Sequence, residues 1–310
     1  MKKDFIEIDD LTKDEILDVI NSAKKIKNKK LSIQPTKIPN YIDEKTAVLL
    51  FEKPSLRTKL SFFKALKMLG FNPIYFSPEE IGIGTREKVS DIAKVISKMS
   101  DIAILRTFKH ATIEEFSNNC TVPVINALTD KEHPCQVIGD LLTIIEETDN
   151  DFKDISLTFI GDGNNVAISL AKAFALLGGT FIHCAPIGYE IPKQEIKKIS
   201  QYNSVSGGKF IFNNKINGSS RLSNFIYTDV WASMGQESEK IERSKKFKDF
   251  QVTQEILDNS SAKFMHDLPA HHGEEISDGL LDHPNSIVFN QSENRIWGQV
   301  GIIRHIISKT

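Results

Sequence analysis

The chain has 310 residues, 40% hydrophobic and 26% charged, which excludes disordered and fibrous classes and is long enough for two domains with separate cores. Its 39 basic against 41 acidic residues, net charge -2, remove nucleic acid as a default partner and leave room only for a local positive pocket. MKKDFIEIDD has no apolar run behind its lysines, no stretch nears the roughly 20 apolar residues that span a bilayer, and Cys120, Cys135 and Cys184 form no CxxC pair, so we expect a cytoplasmic protein without disulfides.

Taken in chain order, LTKDEILDVINSAKKI (11–26) opens with Thr12 and Glu15 at capping-box spacing and sets Ile16, Val19 and Ile20 on one face, which predicts a helix. TAVLLF (46–51), DIAILRT (101–107) and PVINAL (123–128) are apolar runs suited to strands buried on both faces, with helix-period segments between them. The polar EETDNDFKD (146–154), after a helix beginning at Pro134, marks a domain boundary. Beyond it the alternation restarts at ISLTFIG (155–161) and continues through TFIHCA, KFIFN, FIYTDVW, AKFMHDL and SIVFN, each predicted as a strand. The expected fold class is α/β: two domains, each a central, mainly parallel sheet flanked by helices. Such sheets bind ligands at the carboxyl ends of their strands, so chemistry belongs at the strand-to-loop junctions.

The first junction is FEKPSLRTKLSF (51–62). A strand ends at Phe51, Pro54 pre-sets the turn, and Ser55 takes the N-cap position ahead of Leu60, Phe63 and Leu66. The helix start offers free N–H groups and partial positive charge, to which Ser55, Arg57 and Thr58 add donors: a phosphate cradle. Taken alone it reads first as a capped helix with a solvated arginine, and without G-x-x-x-x-G-K-[ST] it implies no triphosphate. Arg106 closes the strand at LRT, and His133 opens the next helix at HPCQ (133–136), so both can converge on the same small anion. GDGNNV (161–166) departs from G-x-G-x-x-G, which weakens a dinucleotide reading. HDLPAHHGEE (266–275) gathers three histidines, but Pro269 and Gly273 deny them the i, i+4 spacing of helical metal sites, and adjacent His271 and His272 point apart in extended chain. No metal site is expected there.

SLRT, LRT at 106 and HPCQ, in that order and at those intervals, closely resemble the carbamoyl-phosphate half of the aspartate and ornithine carbamoyltransferase family. GDGNNV, DVWASMGQE (229–237), HDLPAHHGEE and ENR (293–295) resemble its ornithine branch, and the likeness runs end to end. It implies a carbamoyl-phosphate-binding domain over 1–147, an ornithine-binding domain over 148–292, and a C-terminal helix, 293–310, packing back on the first. It implies transfer of the carbamoyl group to ornithine, giving citrulline and phosphate in arginine metabolism, with no metal or organic cofactor, in a homotrimer with neither nucleic acid nor membrane as partner. By the same resemblance Ser55, Leu56, Arg57 and Thr58 hold the phosphate and Arg295 adds positive charge. Arg106, His133 and Thr58 polarise the carbonyl, and Gln136 with the main-chain carbonyls of Asp267 and Leu268 accepts the carbamoyl NH₂. Asn165, helped by Asn164, binds the ornithine carboxylate, Asp229 pairs with its ammonium, and Ser233 and Met234 line its chain.

Four positions depart from the family pattern. Asp267 stands where the ornithine branch usually has cysteine, beside the attacking amine; a carboxylate there orients the amine but also raises its pKa. Gly82 replaces a glutamine that reaches the neighbouring subunit's substrate, Leu56 replaces the threonine of S-T-R-T, and His272 stands where arginine is frequent. The alternatives are therefore a carbamoyltransferase for a related amine, such as putrescine or acetylornithine, and a catalytically silent homologue that binds ligand or partner.

Overall fold

A computed structural model describes residues 3–29, 45–148, 151–216, 223–232 and 237–309. The chain divides into two compact units, 1–146 with 293–310, and 147–292.

In the first unit, α1 (Lys13–Lys27) carries the expected capping box between Thr12 and Glu15 and buries Ile16, Val19 and Ile20. Four parallel strands follow: β1 (Lys45–Phe51), β2 (Phe71–Phe76), β3 (Ile102–Arg106) and β4 (Val124–Leu128), in the order β2-β1-β3-β4. Between them run α2 (Leu56–Met68), α3 (Pro78–Ile81), α4 (Val89–Met99) and α5 (His110–Asn119), with α6 (Pro134–Glu147) after β4. β2 lies outside the runs that the sequence pattern marks as strands; Pro73 interrupts its pattern, which is tolerated because β2 is an edge strand. At the other edge Phe5 bonds β4 on both sides, its N–H to Val124 and its carbonyl from Asn126. The core lies on β1 and β3, among Val48, Leu50, Ala103, Leu105, Ile92 and Phe116.

The second unit has five parallel strands, β5 (Ser156–Ile160), β6 (Thr180–Cys184), β7 (Lys209–Asn213), β8 (Phe225–Thr228) and β9 (Lys263–His266), ordered β7-β6-β5-β8-β9. Its helices are α7 (Asn165–Leu177), α8 (Lys193–Ser206), α9 (Lys240–Phe247) and α10 (Gln254–Asp258). The last helix, α11 (Val288–Lys309), corrects one expectation: SIVFN is not a strand. Only Ser286 bridges β9, at Phe264; from there buried Val288, Gln291 and Arg295 recur at helical spacing while Phe289 is exposed, so the period is 3.6 and the apolar run is half a helix face. Among the described residues, no helix is long and apolar enough to cross a membrane.

Both topologies reverse direction at one place. After β1 the chain moves outward to β2 and then returns to the other side at β3; after β5 it goes out through β6 and β7 and returns at β8. The loops leaving the strands on either side of such a reversal part company and open a crevice at the strand carboxyl ends.

Candidate active site

In the first unit the crevice lies between β1 and β3, where Phe51 pairs with Arg106 and the Glu52 N–H extends the ladder to the Arg106 carbonyl at 2.8 Å. A register shift at Leu105/Arg106 re-aims the end of β3, and Arg106 is buried. Ser55 caps α2 as its residue type requires: its hydroxyl accepts from the Thr58 N–H at 3.4 Å and donates to the Thr58 hydroxyl at 2.9 Å. The buried face of α2 is Thr58, Phe62, Ala65 and Leu66; Leu60 and Leu56 are exposed, so for Leu56 it is the backbone N–H at the helix start that remains to hold an anion.

Arg295, 237 positions from Thr58, donates to the Thr58 hydroxyl at 2.8 Å and is itself buried. That reach depends on two glycines. A Cβ on Gly139 would stand 3.2 Å from the Arg295 Cα, and one on Gly298 would stand 3.1 Å from the Gly139 nitrogen, so α6 and α11 touch backbone to backbone at this point. His133 precedes α6 and is buried; desolvation, then the charges of Arg295 and Arg106, hold its imidazole well below the usual range, so the ring is neutral between two guanidiniums. Gln136 is also buried. Its amide nitrogen donates to Asp140 at 2.8 Å, leaving Oε1 without a hydrogen-bond partner among the described residues. A buried acceptor left open costs roughly 1–3 kcal/mol, which a ligand N–H would recover. Arg57 sits in the first turn of α2 beside Thr58. The side chains named for phosphate and carbonyl thus belong to one unit, in which Arg295 bonds Thr58 and, with Arg106, lies close enough to His133 for both charges to act on its ring.

The second unit's crevice lies between β5 and β8. GDGNN turns from β5 into α7, and Asn164, its N-cap, accepts from the Val166 and Ala167 N–H groups, each at 3.0 Å. Gly163 is required there, because a Cβ would lie 2.4 Å from the Ile191 nitrogen. The Asn164 amide then donates across the reversal to Asp229 at 2.6 Å. Asn165 follows as the first residue of α7. Asp229 is buried; desolvation, then the negative charge of Asp267, hold its carboxyl well above the usual carboxylate range. Ser233 and Met234 lie outside the described residues.

HDLPAHHGEE is a strand end and a turn, not a helix. Leu268 sits at φ 59 and its bond to Pro269 is cis. Two groups compete for His266 Nδ1: the Leu268 N–H at 2.9 Å suits the neutral ring, the Asp267 carboxylate at 3.4 Å the cation. Burial opposes the cation, but Asp267 and the fully buried Glu275, 3.3 Å from Nε2, outweigh it and raise the ring to about 9. Sequence reasoning assigns His266 and Glu275 no role of their own; their signal is the excess of charge in that decapeptide. The turn at Gly273 brings ligand atoms of His271, Glu274 and Glu275, at i, i+3 and i+4, within 4.8 Å of one another without a helix. A further buried arginine, Arg243, donates to Asp162 of the same GDGNN turn at 2.6 Å.

Residues 3–146 match the family described as aspartate/ornithine carbamoyltransferase, carbamoyl-P binding domain, and residues 153–306 match its Asp/Orn binding domain. The chain is 40% identical over 309 residues to an ornithine carbamoyltransferase of Archaeoglobus fulgidus, covering 99% of this chain and 98% of that one. It is 37% identical over 303 residues to an anabolic ornithine carbamoyltransferase of Pyrococcus furiosus, covering 97% and 95%. The solved ornithine carbamoyltransferase of P. furiosus superimposes with a TM-score of 0.92 at 36% identity, covering 100% of this chain and 98% of that one. An anabolic ornithine carbamoyltransferase from Campylobacter jejuni gives 0.91 at 30% identity, covering 99% and 100%.

Proposed function

Because the chain belongs to the aspartate/ornithine carbamoyltransferase family, we infer that it transfers the carbamoyl group of carbamoyl phosphate to the δ-amine of ornithine, yielding citrulline and phosphate. The observation that carries this reading is the buried cluster of Thr58, Arg106, His133 and Arg295 at the start of α2, positive charge concentrated in a chain whose net charge is -2.

Carbamoyl phosphate is a dianion with an electrophilic carbonyl. The α2 N–H groups from Ser55 to Thr58, with Arg57 and Arg295, hold its phosphate. Arg106 and neutral His133, with Thr58, donate to the carbonyl oxygen, and charge develops there as the amine attacks. A neutral imidazole donates without adding a fourth cation to the three arginines of the pocket, and donors already fixed where the charge develops lower the barrier to acyl transfer without reorganising during the reaction. The open Oε1 of Gln136 accepts the carbamoyl NH₂. On the acceptor side Asn165, with Asn164, takes the ornithine carboxylate, Asp229 its ammonium, and Ser233 and Met234 its methylenes. Asp267 receives the proton the δ-amine must lose. Amine attack and phosphate departure involve no electron transfer, so the step needs no redox cofactor.

The finer assignments rest on the same footing. We propose a cytoplasmic homotrimer: Cys120, Cys135 and Cys184 are buried thiols rather than disulfides, which supports a reducing compartment, and exposed Leu56 and Leu60 on α2 supply apolar surface for assembly. The domain roles proposed are carbamoyl phosphate for 1–147 with 293–310, and ornithine for 148–292.

The test incubates purified protein with carbamoyl phosphate and, separately, ornithine, putrescine, acetylornithine and aspartate, reading phosphate and carbamoylated product. Citrulline as dominant product is expected; turnover with another amine alone, or none with tight binding, overturns the assignment. Asp267→Cys should lower the pH at which the rate saturates, since a carboxylate beside the amine holds it protonated; an unchanged profile removes that role.

A further inference from the structure

We propose that Glu7, His110 and Glu114, in the first unit and outside every residue assigned above, form a binding site for a divalent transition-metal ion of the zinc class. His110 and Glu114 stand one turn apart on α5, the i, i+4 spacing that puts two side chains on the same helix face. Glu7 comes from the N-terminal segment that Phe5 fastens to β4. Their ligand atoms lie within 4.8 Å of one another, with His110 Nε2 at 3.4 Å from Glu7 Oε1 and 3.8 Å from Glu114 Oε1. Zinc bonds of about 2.0–2.2 Å put tetrahedral ligands about 3.3–3.6 Å apart, close to that spacing.

An acidic pair beside a histidine is common on protein surfaces. What singles this one out is how the imidazole is buried and held. His110 is 7% exposed, and its Nδ1 is bonded to the Thr129 hydroxyl at 2.8 Å. That hydroxyl can donate on to the Glu132 carbonyl at 3.4 Å while it accepts from Nδ1–H, the tautomer that leaves Nε2 open to a cation. This is the outer partner that metal-bound histidines characteristically have. Nε2 is left buried with no hydrogen-bond partner among the described residues; even at 3.4 Å from Glu7 it makes no hydrogen bond there. That nitrogen stands between two carboxylates, 3.4 Å from Glu7 and 3.8 Å from Glu114, an arrangement that suits a cation. A cavity of about 450 Å³ lined by Glu7, Asp10, His110, Glu114 and Ser117 opens beside it and admits water as a fourth ligand.

The competitor is Lys131, whose ammonium is paired with Glu7. An incoming ion must displace it or use the other Glu7 oxygen. Nitrogen and carboxylate donors under such competition favour ions late in the divalent series, zinc over magnesium or calcium. A bound ion would tie the N-terminal segment to α5.

The experiment uses the full-length protein, stripped with a chelator and dialysed, then titrated calorimetrically with zinc chloride and, separately, magnesium chloride; cobalt(II) absorption reports the geometry. One zinc per chain, tetrahedral cobalt bands and a Tm raised by zinc are expected. Half-exposed Glu114→Gln should weaken zinc at least tenfold and leave the transferase rate unchanged, and Lys131→Gln should tighten it. A chain that takes up no zinc stoichiometrically, or whose uptake is weakened by neither Glu114→Gln nor His110→Asn, overturns the site; in the second case the turn of His271, Glu274 and Glu275 is the binder. Keeping both variants guards against a fold lost at the buried His110.

Discussion

His133 and His266 occupy corresponding places, each buried close to the carboxyl end of a parallel strand, yet their protonation is opposite. Burial pushes both imidazoles down. Around His133 the next influences are Arg295 and Arg106, which push the same way; around His266 they are Asp267, Glu275 and Asp229, which reverse the sign and lift it to about 9. One unit has gathered cations around a neutral ring, as a dianion requires, and the other has gathered carboxylates around a charged ring, as an amine-bearing substrate requires. The scaffold is the same; which charges the loops bring to the switch point decides the chemistry.

The strongest way to break this contrast is to remove a cation from the first site. Arg106→Leu should lower kcat/KM for carbamoyl phosphate by about 10²–10³-fold, the cost of one fixed donor to a developing oxyanion, as read from initial rates of phosphate release. A loss under tenfold would mean that Arg106 does not face the carbonyl.

The two histidines should also tilt stability with pH in opposite directions. His266, raised from 6.5 to about 9, contributes stability that is complete below 6.5 and fades as pH rises through 9. Over that window the difference in unfolding free energy between the protein and His266→Gln should shrink by roughly 3 kcal/mol. His133, held well below 6.5, acts in the other direction: its contribution is complete above 6.5 and fades as pH falls. Denaturant unfolding across pH measures both, and parallel slopes for the two variants would end the comparison.

Asp229→Asn sharpens the acidic side. Loss of the ammonium's partner should raise the KM for ornithine by about 10–100-fold, since a hydrogen bond to a charged group contributes about 1.5–3 kcal/mol, with little change in KM for carbamoyl phosphate. Because Asp229 is held well above the usual carboxylate range, ornithine affinity in the unmodified protein should improve as pH rises and the carboxyl ionises. Equal changes in both KM values would contradict the division of labour.

Gly298→Ala is the mildest of the four. Forcing α6 and α11 apart costs roughly 1–3 kcal/mol in stability and draws Arg295 from Thr58. The carbamoyl-phosphate KM should therefore rise several-fold while the ornithine KM holds; a variant with wild-type stability and KM would show that the helices yield without moving Arg295.

Much of this protein is local information. The runs at 46–51, 101–107 and 123–128 are strands because apolar side chains cover both faces, α1 and α2 start at Thr12 and Ser55 because those hydroxyls satisfy helix N–H groups, and Ser55, Arg57, Arg106 and His133 fall at strand ends by chain order alone. SIVFN misleads because five residues do not distinguish a period of 2 from half a turn of 3.6. What only the tertiary structure decided are the relations across long sequence separations. Arg295 reaches Thr58 because Gly139 and Gly298 let two backbones touch; Asn164 reaches Asp229 because β5 and β8 are neighbours at a reversal; Glu7 reaches His110 because Phe5 pairs with β4. A protonation state depends on burial and on charges within a few ångströms, and neither quantity exists along the chain until the strands have been ordered.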